Sequence, residues 1–288
     1  MTLTATADLV TSAAAAGTAV LAFNVITIEH VEGVADGVQR AGAAALIQIS
    51  ENTVGFHGGR ISPLLSACAR IAEGSSAPLA IHLDHFQDVA LIAEAIETAS
   101  GFGATSIMVD AAHLSYRDNV ERTRLLTRDA HAAGLWVEAE LGEIGGKLNA
   151  HALGARTDPA EGAAFAEATG VDALAVAVGS SHAMTARDAR LDIDLIADLA
   201  AQVPVPLVLH GSSGVPDDQL RLAVAAGIRK VNVGTALNVA YTGAIREALS
   251  TNPSATDPRV YVAAGRQAIG DTVADLCRVV AAEVGVAR

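Results

Sequence analysis

Three histidines of this chain lie at the ends of short apolar segments that have the composition of β-strands. They are His85, His182 and His210. In a barrel of parallel strands the carboxyl ends meet at one rim, so these imidazoles would converge. Three imidazoles plus one open position are a usual ligand set for catalytic zinc. The spacing therefore predicts one Zn²⁺ site, and the alternative that each histidine is satisfied by local hydrogen bonds stays open.

Four carboxylates are predicted to accompany the histidines. Asp84 directly precedes His85, where it could move protons at a metal-bound substrate or, alternatively, orient a ligand histidine. Glu138 and Glu140 are two residues apart and so share one face of a strand. They could orient the metal ligands by hydrogen bonds or bind a second metal ion, as could Asp110. The alternative is a buried pairing with cations or with a helix N-terminus.

Two segments have the composition of phosphate-binding loops. Residues 211–214 read Gly-Ser-Ser-Gly and follow the seventh predicted strand, and residues 232–235 read Asn-Val-Gly-Thr and follow the eighth. In α/β barrels, phosphate is often bound by these two loops and by the N-terminus of a neighbouring helix. A plain turn would explain one such segment alone, but both occur at the expected places.

The elements that would position these groups are eight predicted strands alternating with Ala-rich helical patterns. This alternation predicts a single (β/α)8 barrel, the TIM barrel of the α/β class, with a doubly wound open sheet as the alternative. Five glycines are placed to end helices. The predicted strands are residues 20–25, 45–50, 79–85, 106–111, 136–142, 173–180, 207–213 and 230–235, and the glycines are Gly17, Gly42, Gly134, Gly170 and Gly227.

Length and composition agree with one domain over residues 1–288. Hydrophobic residues make up 51% and aromatic residues only 3%, so small and branched side chains must fill the core.

The longest irregular stretch is residues 143–160, which follows the fifth strand and contains Gly145-Gly146. A loop of that length at an active-site rim predicts a mobile lid.

The net charge of −13 disfavours a nucleic-acid partner, because binding a phosphate backbone depends on lysine and arginine. No run of 18 apolar residues and no amino-terminal signal pattern is apparent, so we expect no membrane partner. Cys68 and Cys277 lie far apart in apolar helical patterns, which predicts reduced thiols and a cytoplasmic protein rather than a disulfide.

The residues above match a known family. The chain resembles the class II, metal-dependent fructose- and tagatose-bisphosphate aldolases, especially the tagatose-type branch, over essentially its whole length. The matching segments are AFN at 22–24, LAIHLDH at 79–85, VEAELG at 137–142, FAEATG at 165–170, ALAVAVGSSH at 173–182, LVLHGSSG at 207–214, KVNVGT at 230–235 and TDPR at 256–259.

The resemblance implies roles for individual residues. His85, His182 and His210 would bind Zn²⁺, and Asp84 would be the general acid/base. It also implies a Na⁺ or K⁺ ion near the phosphate of the substrate. It further implies a homodimer or homotetramer in which Arg259 contacts the phosphate that is bound in a neighbouring subunit. The remaining substrate- and phosphate-binding positions would be Asn24, Ser50, Gly179, Gly211, Ser212, Ser213, Asn232, Val233, Gly234 and Thr235.

The chain also departs from the family pattern. Ala183 follows His182 where the family usually has glycine, and Ser180-Ser181 replaces the common Thr-Ala. The family often has acidic residues after the Gly-Gly pair, one of which is thought to remove the proton that forms the enediolate. Here Lys147-Leu148-Asn149 follows instead, which leaves that role unassigned, with Glu143 as a candidate.

Together these features predict zinc-dependent retro-aldol cleavage of a ketose phosphate, such as fructose or tagatose 1,6-bisphosphate, to dihydroxyacetone phosphate and an aldehyde. A Schiff-base mechanism is disfavoured, because Lys230 is predicted to begin strand eight at the wrong face of the barrel and Lys147 lies in the loop. The alternatives are an aldolase for an inositol-pathway sugar acid, a non-catalytic aldolase partner subunit, and a zinc barrel hydrolase.

Overall fold

The computed structural model describes residues 3–141, 156–180 and 187–281. The strands are β1 Val20–Asn24, β2 Ala45–Ser50, β3 Leu79–Phe86, β4 Ser106–Val109, β5 Trp136–Glu140, β6 Ala173–Val176, β7 Leu207–Leu209 and β8 Ile228–Val233. The helices of these ranges are α1 Thr6–Ala15, α2 Ile28–Ala41, α3 Glu51–Phe56, α4 Ser62–Gly74, α5 Val89–Thr98, α6 Tyr116–Ala132, α7 Pro159–Thr169, α8 Ile193–Gln202, α9 Asp217–Ala226, α10 Thr235–Thr251 and α11 Pro258–Ala281. Short 3-10 helices occupy Ala99–Phe102 and Ser212–Gly214.

The eight strands form a closed parallel barrel in chain order, and β8 pairs with β1 to close it. The predicted TIM barrel is therefore confirmed, and the open sheet is excluded. The strand ends differ from the prediction where the chain enters the site. Strands β6 and β7 end at Val176 and Leu209 because the residues that follow leave the ladder to form loops, and β8 begins two residues earlier, at Ile228.

Helix ends follow the expected glycine chemistry. Gly42 (φ 62°) ends α2 and Gly170 (φ 71°) ends α7, both in the left-handed conformation that side chains with a Cβ rarely adopt. The other three predicted helix-ending glycines also have positive φ, namely Gly17, Gly134 and Gly227. These caps fix where each helix turns back towards the next strand.

The barrel interior changes from apolar at its amino end to polar at its carboxyl end. Ala22 and Ala80 lie within an apolar cluster that the first helix, α1, covers. The α1 residue Thr6 also hydrogen-bonds across the barrel floor, with its Oγ1 2.7 Å from Oγ of Ser106. In the described residues α1 therefore covers this end, and the predicted site residues lie at the opposite rim.

The loop predicted at residues 143–160 is described only in its last part, since residues 142–155 lie outside the described ranges. Thr157 is buried and its N–H donates to the carbonyl of Ala177. Asp158 caps α7, which begins at Pro159, so the irregular stretch ends before residue 160.

Neither cysteine forms a disulfide: Cys68 and Cys277 are both free and buried, as predicted. None of the described helices combines the length and the apolar character needed to cross a membrane.

Candidate active site

Polar side chains from most strands of the barrel gather at its carboxyl-terminal mouth. Residues two apart on a strand point to the same side, so the last inward-facing position of each strand reaches this rim. Eight predicted site residues of the described ranges lie at the end of a strand or just after it. They are Asn24, Ser50, Asp84, His85, Asp110, Glu140, His210 and Asn232.

A bulge in β3 lets two adjacent residues serve the same site. Neighbours on a regular strand point to opposite faces, but the register of β3 against β4 shifts between Leu83 and Phe86. His85 lies in this bulge with φ 51°, and it is the one non-glycine residue of the described ranges with positive φ. Such strained backbone is typical of functional sites. Asp84 and His85 thereby both reach the rim.

His85 and His210 face each other across the mouth. His85 Nε2 lies 2.9 Å from His210 Nδ1, and the two rings are nearly perpendicular. The outer nitrogens contact carboxylates: His85 Nδ1 lies 3.0 Å from Asp110 Oδ2, and His210 Nε2 lies 2.9 Å from Glu138 Oε1. Because ionised carboxylates only accept, each outer nitrogen donates to its carboxylate, and a proton or a metal ion between the two inner nitrogens satisfies both of them.

The charges around this pair favour a cation. Burial alone would lower the pKa of His85, but the negative charges of Asp84, Asp110 and Glu140 raise it to about 10. Burial likewise would raise the pKa of Asp110, yet hydrogen bonds from His85 and Gln87 hold that pKa below its usual range. The mouth thus holds several carboxylates around two imidazoles, an environment that stabilises positive charge.

The donor set fits a divalent metal ion. Asp84, His85 and His210 each offer a ligand atom within 4.8 Å of the others, as do His85, Asp110 and Glu140. Imidazoles whose second nitrogen is bonded to a carboxylate are the usual ligands of zinc, because the carboxylate fixes the ring and its tautomer. The third predicted imidazole, His182, lies outside the described residues, as do Glu143, Lys147 and Ala183.

Asp84 is held by amide groups beside the imidazole pair. Asn24 Nδ2 donates to Asp84 Oδ2 at 2.7 Å, and Asn232 Nδ2 lies 3.5 Å from Oδ1. The carboxylate is only 3% exposed. It is therefore fixed next to the candidate metal ligands with its position determined by two side-chain amides.

The two predicted phosphate segments meet each other. Gly211 (φ 67°) turns the chain after β7 into the 3-10 helix Ser212–Gly214. The N–H of Ala236, in the first turn of α10, donates to Ser213 Oγ at 3.0 Å, and Ser212 Oγ donates to the carbonyl of Asn232 at 2.6 Å. The hydroxyls therefore tie the loop after β7 to the start of the last barrel helix.

The second segment leads directly into that helix. Asn232 and Val233 end β8, Gly234 precedes α10, and Thr235 is the first helical residue. Backbone N–H groups at a helix N-terminus attract anions because their dipoles align along the axis. A phosphate group bound between the two segments would lie in the expected place for this fold.

The remaining predicted residues have different surroundings. Gly179 has φ 118°, and a Cβ there would lie 2.5 Å from the carbonyl oxygen of Arg190, so the position requires glycine. Ser50 caps α3 by accepting from Thr53 N–H. Arg259 is not brought into this cluster: its side chain is 89% exposed and bonded to Asp257 at the start of α11.

Sequence reasoning missed two polar residues one layer below the mouth. The prediction that Lys230 begins strand eight at the wrong face is incorrect, because a register shift between β7 and β8 places it opposite Val208, wholly buried inside the barrel. Its neighbour Gln48 is also fully buried. The sequence did contain a signal for both: Lys230 is two residues before Asn232 and Gln48 is two residues before Ser50, and residues two apart on a strand face the same side.

Comparison with known proteins agrees with this arrangement. The family described as "Fructose-bisphosphate aldolase class-II" matches residues 4–284. The YdjI aldolase of Escherichia coli K12 is 26% identical, with 98% of each chain covered and a TM-score of 0.81. A putative fructose-1,6-biphosphate aldolase of Coccidioides immitis is 28% identical, with 96% of each chain covered and a TM-score of 0.81.

A third structure shares the fold. The fructose-bisphosphate aldolase of Campylobacter jejuni is 19% identical, with a TM-score of 0.84 over 97% of this chain and 96% of that one. The family match over nearly the whole chain, the closed barrel and the imidazole–carboxylate mouth lead to the same conclusion: this protein belongs to the class II fructose-bisphosphate aldolase family and is an enzyme of the aldolase class.

Proposed function

We propose that this protein is a zinc-dependent aldolase that cleaves a ketose phosphate to dihydroxyacetone phosphate and an aldehyde. The observation that carries the proposal is the facing pair of His85 and His210, each with its outer nitrogen on a carboxylate and with Asp84 alongside. Two lone pairs that face each other at 2.9 Å repel unless a proton or a cation lies between them. Zinc is the ion that three imidazoles favour.

The zinc ligands in this proposal are His85 through Nε2, His210 through Nδ1, and His182. When bound there, zinc supplies a Lewis acid that polarises the ketose carbonyl and stabilises negative charge on its oxygen. Asp110 and Glu138 keep the two ligand rings in the required tautomer. Glu140 adds negative charge on the same side of the site.

Asp84 moves the proton. It accepts the proton of the hydroxyl on the carbon that the breaking bond joins to the dihydroxyacetone half, and that carbon leaves as the aldehyde carbonyl. The electron pair of the broken bond remains on the other fragment as an enediolate. Protonation of the enediolate carbon then gives dihydroxyacetone phosphate. The Asn24 amide, 2.7 Å from Asp84, keeps the carboxylate aimed at the substrate.

The phosphate of the dihydroxyacetone half is assigned to the two segments that meet at the start of α10. Ser213 and the N–H groups near Gly234 and Thr235 supply hydrogen-bond donors there, and the backbone of Gly179 is a further proposed contact. A Na⁺ or K⁺ ion beside this phosphate remains part of the proposal.

The substrate that we propose is fructose 1,6-bisphosphate or tagatose 1,6-bisphosphate. An inositol-pathway sugar acid would present the same dihydroxyacetone phosphate half, so these substrates differ only in the distal half. We also propose a cytoplasmic homodimer or homotetramer in which Arg259 of a neighbouring subunit contacts phosphate. Its exposed position in the single chain is compatible with such a contact.

A substrate panel with coupled detection of dihydroxyacetone phosphate tests the proposal. The zinc-loaded protein should release dihydroxyacetone phosphate from one of the three ketose phosphates, lose this activity after chelation and regain it with zinc. Release of inorganic phosphate instead would indicate a hydrolase. No cleavage of any substrate by protein with one zinc per chain would favour the non-catalytic partner subunit.

A further inference from the structure

Lys230 lies inside the barrel, directly beneath the candidate active site. Its side chain is 0% exposed, and its Nζ contacts three oxygens. Glu138 Oε2 and Gln48 Oε1 are each 2.8 Å away, and Asn232 Oδ1 is 2.6 Å away. The ammonium donates hydrogen bonds to the two amide oxygens and forms an ion pair with the carboxylate.

One contact leads to a proposed zinc ligand. Glu138 is also 0% exposed and uses its two oxygens differently: Oε2 pairs with Lys230, and Oε1 lies 2.9 Å from His210 Nε2. A buried carboxylate without a cation would be costly, because it loses its hydration. Lys230 thus stabilises the carboxylate that orients the His210 ring.

The other two contacts lead to Asp84. Lysine can only donate, so the amide oxygens of Gln48 and Asn232 must face Nζ, and their NH₂ groups must face away from it. The NH₂ group of Gln48 donates to Asn24 Oδ1 at 3.0 Å, and Asn24 in turn donates to Asp84 at 2.7 Å. The NH₂ group of Asn232 lies 3.0 Å from His210 Nε2 and 3.5 Å from Asp84 Oδ1, so this amide contacts both the proposed zinc ligand and the acid/base.

We propose that Lys230 is a positioning residue for both halves of the reaction. It keeps the proposed zinc ligand His210 in place through Glu138, and it keeps the general acid/base Asp84 in place by fixing the orientation of two side-chain amides. It touches neither the substrate nor the metal in this arrangement. The inference rests on the proposed function and extends it to a residue below the site.

The composition of the chain supports a specific role for a lysine here. Lys147 and Lys230 are the lysines of the sequence, and arginine supplies every other basic side chain. The planar guanidinium group of arginine is larger and donates in a fixed fork, whereas an ammonium is compact and donates in three directions. Three oxygens that surround one point require the ammonium.

The test compares Lys230→Met with Thr169→Val as the matched control. Thr169 is also buried, but it is the last residue of α7 and its hydroxyl donates to the carbonyl of Phe165 in the same helix. The melting temperature, the zinc Kd by chelator competition, and kcat and KM at saturating zinc are measured for both variants and for the unchanged protein.

We expect Lys230→Met to raise the zinc Kd by about 10- to 100-fold, the usual effect of losing a group that orients a metal ligand. At saturating zinc we expect kcat to fall by about tenfold or more with little change in KM, since the loss concerns the position of the acid/base. Thr169→Val should lower the melting temperature, because it removes a buried hydrogen bond, and leave the zinc Kd and kcat unchanged. A Lys230→Met protein that matches this control in all three measurements overturns the proposal.

A second variant covers the case in which Lys230→Met does not fold. Gln48→Met removes the path through Asn24 to Asp84 and one acceptor of Lys230, but it keeps the ion pair of Lys230 with Glu138. It should therefore lower kcat and change the zinc Kd less than Lys230→Met does. Unchanged kcat in Gln48→Met would overturn the part of the inference that concerns Asp84. If the unchanged protein cleaves no ketose phosphate, the proposed function fails, and the zinc Kd of a folded lysine variant still tests the path through Glu138.

Discussion

Two carboxylates at the mouth should respond differently to loss of their charge. Asp84 is held by Asn24 at 2.7 Å and by Asn232 at 3.5 Å, whereas Asp110 accepts from the ring of His85 at 3.0 Å. The first is placed to move protons and the second to orient a metal ligand. We therefore expect Asp84→Asn to reduce the chemistry and Asp110→Asn to reduce the affinity for zinc.

The magnitudes follow from these roles. A general acid/base contributes about 10²- to 10⁴-fold to kcat, which corresponds to about 3–5 kcal/mol of transition-state stabilisation. In Asp84→Asn the new NH₂ group can take the place of Oδ1, where the Asn232 amide is 3.5 Å away, while the remaining oxygen still accepts from Asn24. The fold should therefore persist. Loss of the Asp110 carboxylate should raise the zinc Kd by about 10- to 100-fold and spare kcat once zinc is saturating.

The assay measures bound zinc, zinc Kd and release of dihydroxyacetone phosphate for both variants at the same zinc activities. Asp84→Asn should keep one zinc per chain and lose cleavage, and Asp110→Asn should recover cleavage as zinc is added. Full turnover by Asp84→Asn would refute its role as acid/base. Loss of zinc from Asp84→Asn would instead identify Asp84 as a metal ligand.

Two further predictions concern the scaffold. Gly179→Ala should lower the melting temperature more than Gly42→Ala, because both positions have positive φ but only the first also puts Cβ 2.5 Å from a backbone oxygen; equal effects would contradict this. Burial raises the pKa of Cys68 and of Cys277 to about 12, so at pH 8 only about one thiol in 10,000 is ionised. Alkylation by iodoacetamide should therefore be slow in the folded protein, accelerate as the pH rises and become fast in denaturant, and rapid reaction at pH 8 without denaturant would contradict the buried position.

Local signals in the sequence were sufficient to predict the barrel. Parallel strands buried on both faces are short apolar runs, and the glycines that end helices must adopt positive φ, as Gly42 and Gly170 do. The pairing of His85 with His210 could be anticipated because carboxyl ends of barrel strands meet at one rim.

Features that depend on register could not be predicted. The bulge that directs both Asp84 and His85 to the mouth has no local sequence signal, since it arises from the pairing of β3 with β4. Lys230 had one local signal, its position two residues before Asn232, but its place in the interior also depends on a register shift between β7 and β8. A lysine in an apolar strand suggests an exposed end, and only the closed barrel supplies the oxygens that accept from it.

The position of bound zinc tests the central claim most directly. Crystals of the zinc-loaded protein, measured at the zinc absorption edge, should give one anomalous peak about 2.0–2.1 Å from His85 Nε2 and His210 Nδ1, with a nitrogen of His182 as the third ligand. A peak bound by other residues, or by Asp110 and Glu140 without His210, would contradict the proposed catalytic site.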